Sequence, residues 1–344
     1  MFEPKYVISD LLLNNIKKIS VLVAEINQRS FSKMVLVDFE KKANSLSTHA
    51  STSIEGNPLP LSEVKKLLKS KPKNIRDTER EILNYNRILE KLNEKIKKGP
   101  IEVDIPLICH VQREVTAGLI EKFRSGKLRQ EAVFVNNPRS GETVYWPPDQ
   151  QDVPKLMAAL VGFLKRKRGA VDPLILAGLF HKQFVIIHPF MDGNGRTARL
   201  VAKTLLANMG LNMFNLFSFE NYYNKNVADY FHNVGLLGNY YEVADRIDFT
   251  QWLEYFTGGI IDELFRVKGE LELEAEAKSP ESVLQPYHKK MLNFIGENGF
   301  ITDRDYSRLT KRAKATRALD FKKLLTMGFI KRFGKGRLTH YKLK

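Results

Sequence analysis

The chain has 344 residues, 43% of them hydrophobic, and a formal charge of +16, enough for about two or three soluble domains. No apolar run reaches the roughly 18 residues of a membrane span, and the N-terminus lacks the basic-then-apolar pattern of a signal peptide. Cys109 is the only cysteine, which excludes an intrachain disulfide or a cysteine metal cluster and agrees with a cytoplasmic location. The first helix is predicted over residues 8–29, where Ile8, Leu11, Leu12, Ile16, Ile19, Val23 and Ile26 recur at helical spacing. A second is predicted from Ser32 to about Ser53, apolar at Met34, Val35, Val37, Phe39, Ala43 and Leu46. It ends in Ser51-Thr52-Ser53-Ile54-Glu55-Gly56-Asn57, where Gly56, Asn57 and Pro58 read as a helix stop. Glu55 alone reads as a solvated helix-end carboxylate. The C-terminal end of a helix is the wrong pole for it, and that misfit points to a cationic partner elsewhere.

Leu61 to Lys65 opens a further helix with Ser62 as its predicted N-cap. Asp77 to Lys98 is a long helix stopped by Gly99-Pro100, and Asp104 to Leu119 is another, on which His110 reads as structural. Residues 126–148 change character: two short β-prone runs flank the turn-rich Asn136-Asn137-Pro138-Arg139-Ser140-Gly141, which predicts a hairpin. Gln151 to Arg168 is helical, and its closing Lys165-Arg166-Lys167-Arg168 suits the negative end of the dipole. His181 and His232, on apolar helices, read as packing residues.

Asp172-Pro173 opens the apolar run Leu174 to Ile187, and Thr197 to Met209 reads as the next helix. Between them stands His188-Pro189-Phe190-Met191-Asp192-Gly193-Asn194-Gly195-Arg196-Thr197-Ala198-Arg199. Free N–H groups at a helix start, together with its dipole, make an anion site. Gly193 and Gly195 let a ligand approach the backbone. Arg196 and Arg199, three residues apart, converge on one face and suit phosphate oxygens. Asp192 offers a hard oxygen for Mg²⁺, and His188 suits a general base near neutral pH. By inventory this is a phosphoryl or nucleotidyl transfer site.

The stretch resembles the signature of Fic-domain proteins, His-Pro-Phe-x-x-Gly-Asn-Gly-Arg-x-x-Arg, at every fixed position. Ala198 stands where many members carry glycine. The resemblance implies a mainly α fold: a helical Fic core with a short β-hairpin flap. It also implies AMP transfer from ATP, with Mg²⁺, to a Ser, Thr or Tyr hydroxyl of a target protein or of the chain itself. The implied roles are His188 as base and Asp192 as metal ligand, with Gly193, Asn194, Gly195, Arg196, Thr197, Ala198 and Arg199 around the nucleotide. Ser51 to Gly56 matches the family's inhibitory motif, Ser/Thr-x-x-x-Glu-Gly/Asn. The match implies that Ser51 and Glu55 belong to an N-terminal inhibitory helix, with Glu55 on Arg199. Asn226, in Asn226-Val227-Ala228-Asp229-Tyr230-Phe231, matches an element on the adenine and ribose side. The hairpin matches the flap that pairs with a stretch of target.

Ser218 is the predicted cap of the helix that follows, and Phe249 to Phe265 completes the core. Glu270 to Pro280 reads as a boundary. Beyond it Tyr287 to Asn298, a helix capped by Thr302, and Lys314 to Thr326 precede two strands around Gly334-Lys335-Gly336. This resembles a winged helix. The expected division is residues 1–100 as an N-terminal helical region, 101–270 as Fic core and 281–344 as winged helix. Residues 281–344 hold 16 Lys/Arg and 5 Asp/Glu, a net +11 of the total +16, which suits a polyanion. Arg317, Lys322, Lys323, Lys335 and Arg337 are the candidates for DNA phosphates; docking of protein or of a second copy as a homodimer is the other use of such a module. The rival readings of the whole are removal of AMP, with Glu55 activating water, and a DNA-binding regulator whose Fic core senses nucleotide.

Overall fold

The computed structural model describes residues 2–28, 33–70, 74–136, 141–208, 218–277 and 284–344. Packing divides the chain into two units, Met1–Lys268 and Gly269–Lys344. In the first, α1 (Asp10–Asn27) begins where the Ser9 hydroxyl accepts the Leu12 N–H at 3.1 Å, and it buries Leu12, Ile19, Leu22, Val23 and Ile26. Next comes α2 (Lys33–Ile54); the predicted start at Ser32 lies outside the described residues, as do the side chains of Met34 and Val35.

The packing of α2 departs from the apolar expectation. Val37 is exposed and Leu46 half-buried, whereas Asn44, Ser47, Thr48 and Ser51 are buried beside Phe39 and Ala43. The four polar residues recur at helical spacing, so α2 lays a polar stripe on its neighbours. Asn44 Oδ1 accepts from Asn93 at 3.1 Å, Thr48 donates to Asn86 Oδ1 at 3.3 Å, and Ser47 accepts from Lys203 Nζ at 3.1 Å. Slipping the helix would strand each group at about 1–3 kcal/mol. The stripe therefore fixes the register in which α2 presents its last turn.

The chain turns at Gly56, φ 96°. Pro60 precedes α3 (Leu61–Lys69), and Ser62 falls inside the first turn rather than capping it. α4 (Asp77–Lys98) follows. Asp104 Oδ1 accepts the Leu107 N–H at 2.8 Å to start α5 (Ile105–Val115). That helix stops short of the predicted Leu119 because the chain turns through Gly118 at φ 71°. β1 (Val135–Asn136) pairs antiparallel with β2 (Thr143–Trp146), and the hairpin tip, 137–140, lies outside the described residues. β2 also pairs in parallel with β3 (Gly238–Asn239), a pairing that two residues cannot announce in sequence.

α6 (Val153–Lys167), α7 (Pro173–Ile187) and α8 (Asn194–Asn208) form the centre. α7 is buried nearly all round, as its unbroken apolar run requires, and packs on α6 and α8. α8 begins at Asn194 rather than Thr197; the predicted end, Met209, lies outside the described residues. α9 (Phe219–Lys225) and α10 (Val227–Val234) are separated by Asn226. The Ser218 hydroxyl does not cap α9; it donates to Glu220 at 3.0 Å. His232 is exposed rather than packed, since α10 turns Tyr230 and Val234 inward. After the single turn α11 (Tyr240–Val243) comes α12 (Thr250–Ala277). Trp252 Nε1 donates to Gly178 O at 2.7 Å, and a Cβ on Gly178 would lie 2.6 Å from Leu253, so glycine there sets the approach of α7 and α12.

The second unit holds α13 (Pro286–Asn298), α14 (Asp303–Leu309) and α15 (Lys314–Thr326), then β4 (Ile330–Phe333) paired antiparallel with β5 (His340–Leu343). Ile301 bridges to Tyr341. Met291, Ile295, Tyr306, Phe321, Leu324 and Ile330 fill its core. Thr302 caps α14, its hydroxyl accepting the Asp305 N–H at 3.2 Å while Asp305 Oδ2 accepts the Thr302 N–H at 3.0 Å. Thr302→Ala should cost about 1 kcal/mol. Hydrogen exchange of the α14 amides checks this: protection should fall about fivefold, and unchanged protection would remove the cap's role.

Candidate active site

α7 delivers His188 to the site. Asp172 accepts the Leu174 N–H at 2.8 Å at the helix start, and His188 closes the other end with its N–H on Phe184 O at 3.0 Å. His188 sits at φ 50°, ψ 58°, the left-handed region. Its Nδ1 lies 3.3 Å from Val185 O. A carbonyl only accepts, so Nδ1 carries the proton and Nε2 keeps the lone pair that a base needs. Burial holds the imidazole pKa below its usual value; Arg129 acts the same way, while the Val185 carbonyl, Glu55 and Asp192 oppose it.

The loop after His188 is held carbonyl by carbonyl. Arg129 Nε donates to His188 O at 2.8 Å, and the Arg129 N–H to Pro189 O at 2.9 Å. Asn194 accepts the Phe190 N–H at 3.0 Å and donates to Phe190 O at 2.8 Å. Gln112 Nε2 donates to Asp192 O at 3.0 Å, and its Oε1 accepts from Gly126. Gly193, φ 79°, then turns the chain into α8; a Cβ there would lie 2.8 Å from Thr116 Cγ2. The Asn194 side chain is thus spent on the loop, and its backbone is what remains for a ligand.

Two guanidiniums rise from the start of α8. Arg199, fully buried, donates from Nε to Ser51 Oγ at 2.8 Å and from Nη2 to Ser51 O at 2.8 Å and Glu55 Oε1 at 2.7 Å; Nη1 reaches Tyr230 Oη at 3.3 Å. Burial works against its charge, yet Tyr230, Glu55 and Tyr85 outweigh it and hold its pKa above the ordinary guanidinium value. A Cβ on Gly195 would collide with Glu55 Oε1 and lie 3.0 Å from Arg199 Nη1. The carboxylate of the α2 end therefore lies over the N-terminus of α8, where an anion belongs.

Arg196 is clamped between Glu81 Oε1, 2.6 Å from Nη1, and Asp192, whose oxygens lie 2.9 and 3.0 Å from Nη2. Burial pushes the Glu81 carboxyl up, and Arg196 and Asn57 pull the other way. Asn57 Nδ2 donates to Glu81 Oε2 at 2.7 Å. Three carboxylates thus face two guanidiniums in this state. An incoming anion gains both arginines only if some of those carboxylates let go.

Among the other residues singled out, Thr197 and Ala198 are fully buried, with no hydrogen bond at the Thr197 hydroxyl. Asn226 is exposed and caps α10 through Asp229; Tyr230, four residues on, is the side chain of α10 that reaches Arg199. Sequence reasoning missed Glu81, Asn57, Gln112 and Arg129. Glu81 carried a signal, since it stands four residues before buried Tyr85 and so on the inward stripe of α4. Asn57 was legible only as a helix stop, and nothing around Arg129 marks it.

Residues 102–206 match the Fic/DOC family. The chain is 30% identical over 176 residues to the protein adenylyltransferase Fic of Culex quinquefasciatus, covering 50% of this chain and 33% of that protein. To the protein of the same name from Drosophila erecta it is 31% identical over 176 residues, with shares of 50% and 34%. The chain thus spans about a third of the length of the curated relatives it matches. A Fic family protein from Desulfovibrio desulfuricans G20 superposes with a TM-score of 0.64 at 20% identity, covering 100% of this chain and 98% of the other. Residues 134–508 of Fic-1 from C. elegans give 0.58 at 20% identity, with shares of 78% and 74%. At that identity both likenesses are of fold.

Proposed function

The chain carries a Fic/DOC-family domain over residues 102–206, and on that premise we propose that it is a protein adenylyltransferase held off by its own α2. AMP passes from ATP to a Ser, Thr or Tyr hydroxyl of a target protein or of the chain itself. The observation that carries the reading is the Glu55 carboxylate on Arg199, over Gly195. An acidic side chain from another helix fills the place that a helix N-terminus and a guanidinium make for phosphate oxygens. The relatives' name, protein adenylyltransferase Fic, supports the same chemistry. Residues 1–100 are then the inhibitory region and 101–270 the catalytic core.

In this mechanism His188 Nε2 takes the hydroxyl proton as the oxygen attacks the α-phosphorus of ATP. The new P–O bond forms as the bond to the bridging oxygen breaks, and pyrophosphate leaves. Backbone N–H groups of Gly193, Asn194 and Gly195 cradle the phosphates, and Arg196 and Arg199 neutralise the charge that builds on the leaving group. Mg²⁺, when bound, spreads the triphosphate charge. Asp192, its side chain about half exposed, suits the single carboxylate that such a phosphate-completed site needs. Treating a lysate with ATP and the Glu55→Gly variant should leave AMP on hydroxyl side chains, detected by mass spectrometry and absent when His188 is also replaced by alanine. A lysate without such a mark removes the reading.

Glu55 keeps 27% of its side chain exposed, which favours one second reading: hydrolysis of AMP from a modified hydroxyl, with Glu55 activating water. Loss of AMP from pre-modified protein only when Glu55 is present would select it. The module at 281–344 is a separate proposal. Three helices followed by a hairpin support a winged helix, and exposed Lys322, Lys335 and Arg337 support phosphate contact. Arg317 is committed to Asp303 at 2.8 and 3.0 Å and leaves that set. Duplex DNA binding that weakens steeply with salt and vanishes on deleting 281–344 is the expected result; pairing of two copies through this module is the alternative outcome.

A further inference from the structure

We infer that Arg129 is the positioning residue that aims the His188 imidazole. The inference rests on the adenylyl-transfer reading and extends it to a side chain outside the 188–199 stretch. Among the described residues His188 is the one non-glycine residue with positive φ. That backbone costs a residue with a Cβ about 1–2 kcal/mol, so neighbouring contacts have to hold it. Arg129 grips the chain leaving it, with Nε on His188 O at 2.8 Å and its own N–H on Pro189 O at 2.9 Å.

The remaining donors of the same guanidinium run to the hairpin. Nη1 donates to Glu131 O at 3.0 Å, ahead of β1, and Nη2 to Pro148 O, just past β2. One flat fork thus ties both arms of the flap to the carbonyl of the base. Every hydrogen bond of the side chain ends on a main-chain carbonyl, and Arg129 is only 3% exposed. A compact ammonium cannot reach three divergent acceptors at once. Its charge also has a use. The groups facing His188 are Arg129 from the segment before β1, Glu55 from the end of α2 and Asp192 from the loop. Of these only Arg129 favours the neutral imidazole, the form that accepts a proton.

The test compares Arg129→Lys and Arg129→Met, each in the Glu55→Gly chain, by three readings. Self-labelling at saturating ATP should fall about a hundredfold in both, the cost of an ångström's misplacement, while half-saturating ATP stays within about twofold. Ring ¹⁵N shifts of His188 should lose the single Nδ1–H tautomer in both variants. The protonation midpoint should rise in Arg129→Met and hold in Arg129→Lys, which keeps the charge. Labelling within about tenfold of the parent, an unchanged tautomer, or loss of ATP binding itself would each overturn the assignment, the last by making Arg129 a fold residue. If the Glu55→Gly parent labels nothing, the transfer reading fails, and the ring shifts still decide the part of Arg129.

Discussion

Glu55→Gly should raise self-labelling by ATP about a hundredfold. The Glu55 carboxylate and a phosphate compete for one guanidinium. Arg199 is fully buried and holds Glu55 Oε1 at 2.7 Å. Removing one member of such a pair exposes about 3–5 kcal/mol of uncompensated charge, and a phosphate that takes the vacated place recovers much of it. About 2.8 kcal/mol of that recovery is a factor of a hundred. Two further variants separate charge from bulk. Glu55→Gln keeps the shape, so if charge is the brake it should release most of the gain. Ser51→Ala leaves Glu55 in place but removes the hydroxyl that accepts from Arg199 Nε at 2.8 Å; it should release little, because the carboxylate still lies over Gly195. Labelling that is unchanged in Glu55→Gly would sink the inhibition, and labelling that rises in Glu55→Gly but not in Glu55→Gln would make the block steric.

Most of this machinery could be read before any coordinate. The loop from His188 to Arg199 is one continuous stretch whose parts must lie together because they are neighbours in the chain, so the motif carried its own geometry. Glu55 was legible for a different reason: a carboxylate at the negative end of a helix asks for a cation, and the structure supplies Arg199. Asn226, matched by pattern alone, caps α10 with Asp229, while Tyr230 makes the contact with Arg199. α2 shows the limit of apolar periodicity. Its inward stripe is Asn44, Ser47, Thr48 and Ser51, which in sequence look like a solvated face. Only partners on other elements, Asn93, Asn86, Lys203 and Arg199, make that stripe an interior one. Gln112 and Arg129 escaped for the same reason. Each acts across more than 50 positions in sequence, and a long-range polar contact leaves no period behind.

His188→Ala, made in the Glu55→Gly chain, should abolish labelling while ATP affinity stays within about threefold of the parent. The proposed phosphate cradle is built from α8 and the loop glycines, none of which depends on an imidazole at 188. The left-handed backbone there is held by carbonyl contacts from Arg129 rather than by the ring. A base removed from an intact cradle costs about 10²–10⁴ in rate, so residual labelling above about a hundredth of the parent would assign proton removal to another group. The pH profile gives a second reading of the same assignment. Transfer needs the neutral imidazole. Burial lowers the His188 pKa, Arg129 adds to that, and the Val185 carbonyl, Glu55 and Asp192 act against it. The acid limb should therefore lie below the ordinary imidazole value of about 6.5, leaving a plateau through neutral pH. Removing Glu55 takes away one stabiliser of the imidazolium, so the limb of the Glu55→Gly chain should sit lower still. An acid limb at or above the ordinary value would mean that the group whose protonation stops transfer is not a half-buried histidine beside a cation.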